Sequence, residues 1–189
     1  MGEIMGKVAG IKEANCFAFS LPAIRGLGNG SGFEQRLIIT DRARTQRGRI
    51  VEVIPFEPRY RNDFKRLNVE WLEKYFYVEP IDEEVLSNPE TSILKPGGHI
   101  LLARHQGQIV GTCALIRAGR SRVELSKMAV TSRLQGQGVG RRLLLAAIAK
   151  FKRMNAQTLF LESSSRLTAA LALYESVGFV KMGVRKRYY

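Results

Sequence analysis

The spacing of apolar positions changes several times along this chain, and each change marks an element. Phe64, Leu67, Trp71 and Leu72 recur at helical intervals, which predicts a helix over residues 60–74 after the breaks at Pro55 and Pro58. A strand over residues 50–54 precedes it, and a second short helix is expected near Pro80. Residues 99–104 and 108–117 read as a hairpin around Gln106-Gly107, followed by a strand over residues 122–130. Val139, Leu143, Leu144, Ala147, Ile148 and Phe151 then restore the helical period over residues 138–154. A buried strand over residues 158–161, a helix capped by Thr168, a left-handed terminus at Gly178 and a last strand over residues 179–182 complete the pattern.

One strand carries an irregularity. Val123 and Leu125 set an alternation, yet the next large apolar residues are Met128 and Val130, so the step from 125 to 128 is odd. Side chains of a strand alternate with a period of two, and an odd step needs one extra residue, which a β-bulge supplies. A bulge near Lys127 is therefore expected; the alternative is an exposed Lys127 with an incidental change of phase.

That strand runs into Gly136, Gly138 and Gly140 and then directly into the helix. Glycines let a ligand approach the main chain, and the first amides of a helix lack intrahelical acceptors and lie at the positive end of its dipole. The segment Gln135-Gly136-Gln137-Gly138-Val139-Gly140-Arg141 therefore predicts an anion seat, suited to a pyrophosphate. A nucleoside-triphosphate loop would need Lys and then Ser or Thr after its last glycine, where this chain has Arg141 and Arg142. A dinucleotide fold would need several further strands, but only 49 residues follow Gly140.

Gln135-Gly-Gln-Gly138-Val-Gly140 resembles the (Arg/Gln)-x-x-Gly-x-(Gly/Ala) signature of Gcn5-related N-acetyltransferases. Ala169-Ala-Leu-Ala-Leu-Tyr174-Glu-Ser-Val-Gly178-Phe179 resembles the second signature of that superfamily. The resemblance covers residues 49–189 and implies an α/β fold: a mixed, mostly antiparallel twisted sheet with flanking helices. It also implies acetyl-CoA as cosubstrate without a metal, held by Met128, Ala129 and Val130 of the bent strand and by residues 135–141. The family pattern ends with one more antiparallel strand. Residues 184–189 supply only a shortened version of it, so the edge is expected to be covered by a second subunit in a homodimer or by a strand over residues 33–40.

Residues 1–48 read as a separate, non-catalytic appendage: the end of a helix over residues 2–12, a strand over 16–20, a glycine-rich loop over 21–32, the strand over 33–40 and a linker over 41–48. The run from Ala18 to Glu34 resembles the porter region of resistance-nodulation-division efflux pumps, which suggests a fusion scar.

Composition adds less. With 45% hydrophobic and 25% charged residues the chain suits one domain with a core. Apolar runs fall short of a membrane span and no signal peptide is evident, so a cytoplasmic protein without membrane association is expected. Of the net charge of +13, most lies after residue 116, in the cofactor half, whereas Glu79, Asp82, Glu83, Glu84 and Glu90 make the middle acidic. A positive field steers an anionic cofactor and a negative one a cationic amine, although a solvated acidic helix face reads as well. The basic third lacks interleaved exposed aromatics, so nucleic acid is not an expected partner. Cys16, Cys113, His99 and His105 show no metal-ligand spacing.

Acetyl transfer requires a neutral amine, and an alkylamine with a pKa near about 10.4 is protonated at neutral pH. Glu124, on the bent strand, is the candidate proton acceptor, acting directly or through water; a strand carboxylate paired with an arginine is the equal alternative. Tyr174 matches the tyrosine that the resemblance implies as the acid for the departing thiolate, and it also fits a helix core position. The amide of Met128 or Val130 is the expected oxyanion donor. A non-catalytic acyl-CoA-binding or partner-binding module is the competing function, and methyl transfer from S-adenosylmethionine fits poorly with so short a chain after Gly140.

Overall fold

The computed structural model describes residues 14–21 and 51–182. Among these residues seven strands form one sheet in the order β2-β3-β4-β5-β6-β1-β7. The strands are β1 (Ala14–Ser20), β2 (Val51–Pro55), β3 (His99–His105), β4 (Gln108–Arg117), β5 (Arg122–Val130), β6 (Thr158–Ser164) and β7 (Val180–Met182). Helices α1 (Arg61–Tyr75) and α2 (Pro80–Ser87) follow β2, α3 (Val139–Phe151) follows β5, and α4 (Thr168–Ser176) lies between β6 and β7. Neighbours pair antiparallel except β5 and β6, which are parallel. The architecture is the mixed, mostly antiparallel α/β sheet expected from the chain.

Two apolar layers sandwich the sheet. On one side Phe64, Leu67 and Leu72 of α1 and Val85 and Leu86 of α2 pack on Ile100, Leu102, Ala114 and Ile116. On the other, Val139, Leu143, Leu144, Ala147 and Phe151 of α3 pack on Ala103, Cys113, Leu115, Val123 and Leu125. Strand β4 serves both layers, Cys113 and Leu115 facing α3 while Ala114 and Ile116 face α1, which is why its run is apolar rather than alternating.

The odd step in β5 is real. Val123, Leu125, Met128 and Val130 all pack on the α3 side, and the extra residue is absorbed beside Lys127, whose φ is 50°. The register with β4 shifts there: Ala114 pairs with Ser126 and Thr112 with Ala129, leaving Cys113 opposite both Lys127 and Met128. The left-handed conformation is costly for a lysine, and an ion pair holds it: Lys127 Nζ lies 2.6 Å from Asp82 Oδ1, both side chains being buried. Asp82 Oδ2 also accepts the Glu79 amide in the capping box that starts α2, so one carboxylate ties this helix to the bulge.

The sheet edge is completed from an unexpected direction. The strand beside β6 and β7 is β1, antiparallel to both, with Cys16 opposite Glu162 on one side and Met182 on the other. Part of the supposed appendage thus lies inside the sheet. The helix over residues 2–12, the strand over 33–40, the linker and the shortened partner over 184–189 lie outside the described residues. Phe17 is 1% exposed in the α3 layer, a burial that contributes about 1.5–3 kcal/mol.

Two expectations at helix ends fare differently. Thr168 is the first residue of α4 rather than its cap; Leu167 holds that position and no side chain caps the helix. Gly178 ends α4 as expected, with φ +98°. Its amide donates to Glu175 O at 3.1 Å and that of Phe179 to Tyr174 O at 3.1 Å, the double closure that a left-handed residue permits.

Candidate active site

Strand β5 pairs with β4 along most of its length but with β6 only from Arg122↔Thr158 to Glu124↔Phe160. Beyond Glu124 the two parallel strands stop pairing, and a cleft of about 540 Å³ is lined by Glu124 to Val130 on one side and Leu161 to Ser164 on the other. Asn68, Trp71, Leu72 and Tyr75 of α1 line it too, as do Gln135, Gly136, Gly138, Gly140 and Arg141 of the glycine loop and Leu173 and Tyr174 of α4.

The loop has the form its glycines predict. Gly138 precedes α3 with φ 81° and ψ 0°, a left-handed conformation strained for any other side chain, and a Cβ there would meet nothing within 4 Å. The Arg142 amide makes the bond back to Gly138 O at 3.1 Å; the amides of Val139, Gly140 and Arg141 precede it and lie at the positive end of the helix. Gln135 Nε2 donates to Val130 O at 3.0 Å and ties the loop to the bent strand. Arg141 Nη1 reaches Ser176 Oγ at 3.3 Å, linking α3 to α4.

Most of the expected site residues therefore gather around one cleft: Tyr174, Glu124, Met128, Ala129, Val130, Gln135, Gly136, Gly138, Gly140 and Arg141. Two do not line it. Val139 is 1% exposed in the core, so only its main chain is available to a ligand. The Gln137 side chain donates to Arg133 O at 2.9 Å, turned along its own loop.

Glu124 is 6% exposed and stands at the last paired position before the strands part. Burial pushes the Tyr174 phenol up to about 12, with a smaller push from Cys113, so it stays protonated at neutral pH and has a proton to give. The Cys113 thiol is raised to about 12 by burial and is not a nucleophile. Burial lowers the pKa of His99, which does not line the cleft. Asn68 and Ser126, to which the sequence did not point, also line the cleft. So do Asp82, expected only as part of an acidic stretch, and Lys127, expected only as the bulge; their pairing was not foreseen.

The match to known proteins agrees with this arrangement. The acetyltransferase (GNAT) family profile matches residues 60–179. The chain belongs to that family. It is 39% identical over 100 residues to the N-alpha-acetyltransferase RimI of Mycobacterium tuberculosis, a match covering 51% of this chain and 61% of that protein. Against the [ribosomal protein bS18]-alanine N-acetyltransferase of Escherichia coli K12 the identity is 42% over 65 residues, 34% of this chain and 44% of that one. The chain thus spans less than two thirds of the length of these curated relatives. Among solved structures, a GNAT acetyltransferase from Staphylococcus aureus Mu50 superposes with a TM-score of 0.65 at 24% identity, covering 70% of this chain and 85% of that one. A GNAT acetyltransferase from Elizabethkingia anophelis with acetyl-CoA bound gives 0.55 at 23%, covering 73% and 81%. Both share the GNAT fold. The likeness of the leading segment to an efflux-pump porter region finds no support in these matches. Among the described residues no helix is long and apolar enough to cross a membrane, and no cluster of His, Cys, Asp and Glu is placed to hold a metal.

Proposed function

We propose that this GNAT protein transfers an acetyl group from acetyl-CoA to a primary amine, of a small molecule or a protein, by direct transfer in a ternary complex. The parting of β5 from β6, with a glycine-rich helix start at one end and a bulge at the other, carries the reading. The amides of Val139, Gly140 and Arg141 suit the diphosphate, and the bent main chain at Met128 to Val130 suits the pantetheine arm. When bound, acetyl-CoA supplies an activated acyl thioester and a thiolate leaving group. Glu124 takes a proton from the amine, directly or through water. An amide of Met128 or Val130 donates to the carbonyl oxygen as negative charge develops there. Tyr174 gives its proton to the departing sulfur. Alignment of the two reactants in one cleft supplies much of the remaining acceleration.

The names of the relatives favour a protein α-amine over a lysine-type amine as acceptor. An α-amine, with a pKa near about 7.7–8.0, is partly neutral at physiological pH and asks little of Glu124. Residues 1–48 supply no reacting group in this reading; β1 contributes structure.

Titration calorimetry with coenzyme A, followed by turnover of acetyl-CoA against a panel of amines and amino-terminal peptides, tests the proposal. We expect saturable binding and acetylated product. Absence of heat with coenzyme A would end the reading, and binding without turnover on the whole panel would leave a non-catalytic acyl-CoA-binding module.

A further inference from the structure

Strand β1 is the element that acetyl transfer leaves without a task. It lies between β6 and β7 and pairs with both, and Phe17 and Phe19 pack into the layer that contains α3 and the apolar side chains of α4. The ring of Phe17, 1% exposed, lies 6.1 Å from that of Tyr174, with a 53° tilt between the planes. Phe179 is 6.1 Å from Tyr174 and 5.8 Å from Phe19, and Phe19 is 6.4 Å from Phe151 of α3. Five aromatic rings from β1, α3, α4 and the start of β7 thus form one connected cluster, and Tyr174 is the member that lines the cleft.

The helix that carries Tyr174 depends on this cluster. None of its residues is fully buried, and it rests on the core through partly buried Leu171, Leu173 and Tyr174. The Gly178 turn fixes its main chain at one end, but the direction of the phenol is set by what packs against the ring. A proton donor displaced by about 1 Å from its acceptor loses up to about 100-fold in rate.

We propose that Phe17, delivered by β1, is a positioning residue that orients the Tyr174 ring, so that the leading segment is needed for turnover although it offers no reacting group. This rests on the reading of Tyr174 as the proton donor. It also changes what a deletion means, since removing residues 1–48 would take β1 from between β6 and β7, leave both without that partner, and remove the support under α4. Substitution within the full chain is the informative experiment.

Two readouts follow from it. In the full chain with ring-labelled tyrosine, the Tyr174 resonance, assigned by its absence in Tyr174→Phe, is followed from pH 8 to 11. In the parent it is expected to stay unshifted over most of this range, whereas in Phe17→Ala titration begins at least one pH unit lower as water reaches the ring. Phe17→Leu, which keeps most of the volume, should stay near the parent. With acetyl-CoA and a peptide bearing a free amino-terminal alanine, Phe17→Ala is expected to lower kcat about tenfold at nearly unchanged KM for acetyl-CoA, and to lower it no further in a Tyr174→Phe background. An unmoved Tyr174 titration in folded Phe17→Ala, or an equal loss of kcat in both backgrounds, overturns the role of Phe17. If Phe17→Ala does not fold, Phe17→Val is judged by the same two criteria. Undiminished kcat in Tyr174→Phe would instead remove the proton-donor assignment on which the role rests.

Discussion

The two flanks of β5 could hardly differ more. Toward β4 the strand is paired from Val123 to Val130 and interrupted only by the bulge at Lys127; toward β6 it is paired for three residues and then left open. The closed flank is antiparallel and packed against α1 and α3, and its one irregular residue is pinned by Asp82. The open flank is where the cleft lies, bounded by the glycine loop and by α4. A sheet can therefore be stable and still expose main-chain donors to a ligand, provided that the gap is on one side of a strand whose other side is secured. Substitutions on the closed flank should cost stability, and those on the open flank should cost binding and turnover.

The largest effect is expected on the closed side. Asp82→Asn leaves Lys127 buried without its counter-charge and weakens the box that starts α2, and loss of one partner of a buried pair costs about 3–5 kcal/mol. Urea unfolding should show it as a lower midpoint. A loss of affinity at unchanged stability would break the comparison. On the open side, Gly138→Val forces a β-branched residue into a left-handed conformation at a cost of about 1–2 kcal/mol and places its side chain beside the helix-start amides. The strain costs stability, whereas the side chain obstructs the approach of a diphosphate to those amides, so coenzyme A affinity should fall about tenfold or more, a loss of about 1.4 kcal/mol or more in binding. Unchanged affinity in calorimetry would remove the loop from the binding site.

The smallest effect sharpens the comparison through pH. Cys113 on the closed flank and Tyr174 on the open flank are both raised to about 12 by burial. A folded-state pKa above the unfolded one means that the fold retains the proton more tightly. The associated stability is complete below about pH 9 for the thiol and about pH 10 for the phenol, and is lost as pH rises through about 12. The unfolding midpoint should therefore decline over this window, and less steeply in Cys113→Ala and in Tyr174→Phe. Equal slopes in parent and variants would show that neither group is shielded as the fold implies.

Much of this was legible because the signals are local. The odd step from Leu125 to Met128 pointed to a bulge, since with a side-chain period of two an extra residue is needed to keep all four apolar residues on one face; that they do share a face, rather than change phase incidentally, is what the structure decided. Glycine at 178 marks left-handed main chain directly adjoining a helix end, and the position has it; Gly138, read only as allowing close approach of a ligand, is left-handed as well. Thr168 suggests a cap because a hydroxyl near a helix start is a frequent capping group, while the chain enters α4 one residue earlier, through Leu167. The Asp82–Lys127 pair joins residues 45 apart in the chain, and nothing in the local pattern of either segment specifies the other.

The sequence by itself determined the elements, the bulge and the glycine loop, all of which arise from periodicity and main-chain preference over a few residues; that the loop and the Tyr174-bearing helix serve one site was implied only by the resemblance of both segments to family signatures. Only the tertiary structure decided which strand closes the sheet. Ala14–Ser20 occupies the place between β6 and β7, and a strand of that composition carries no address for its neighbours: hydrogen bonding along a sheet edge is the same for any partner, and the choice is made by how Phe17 and Phe19 fit the aromatic layer beneath α4.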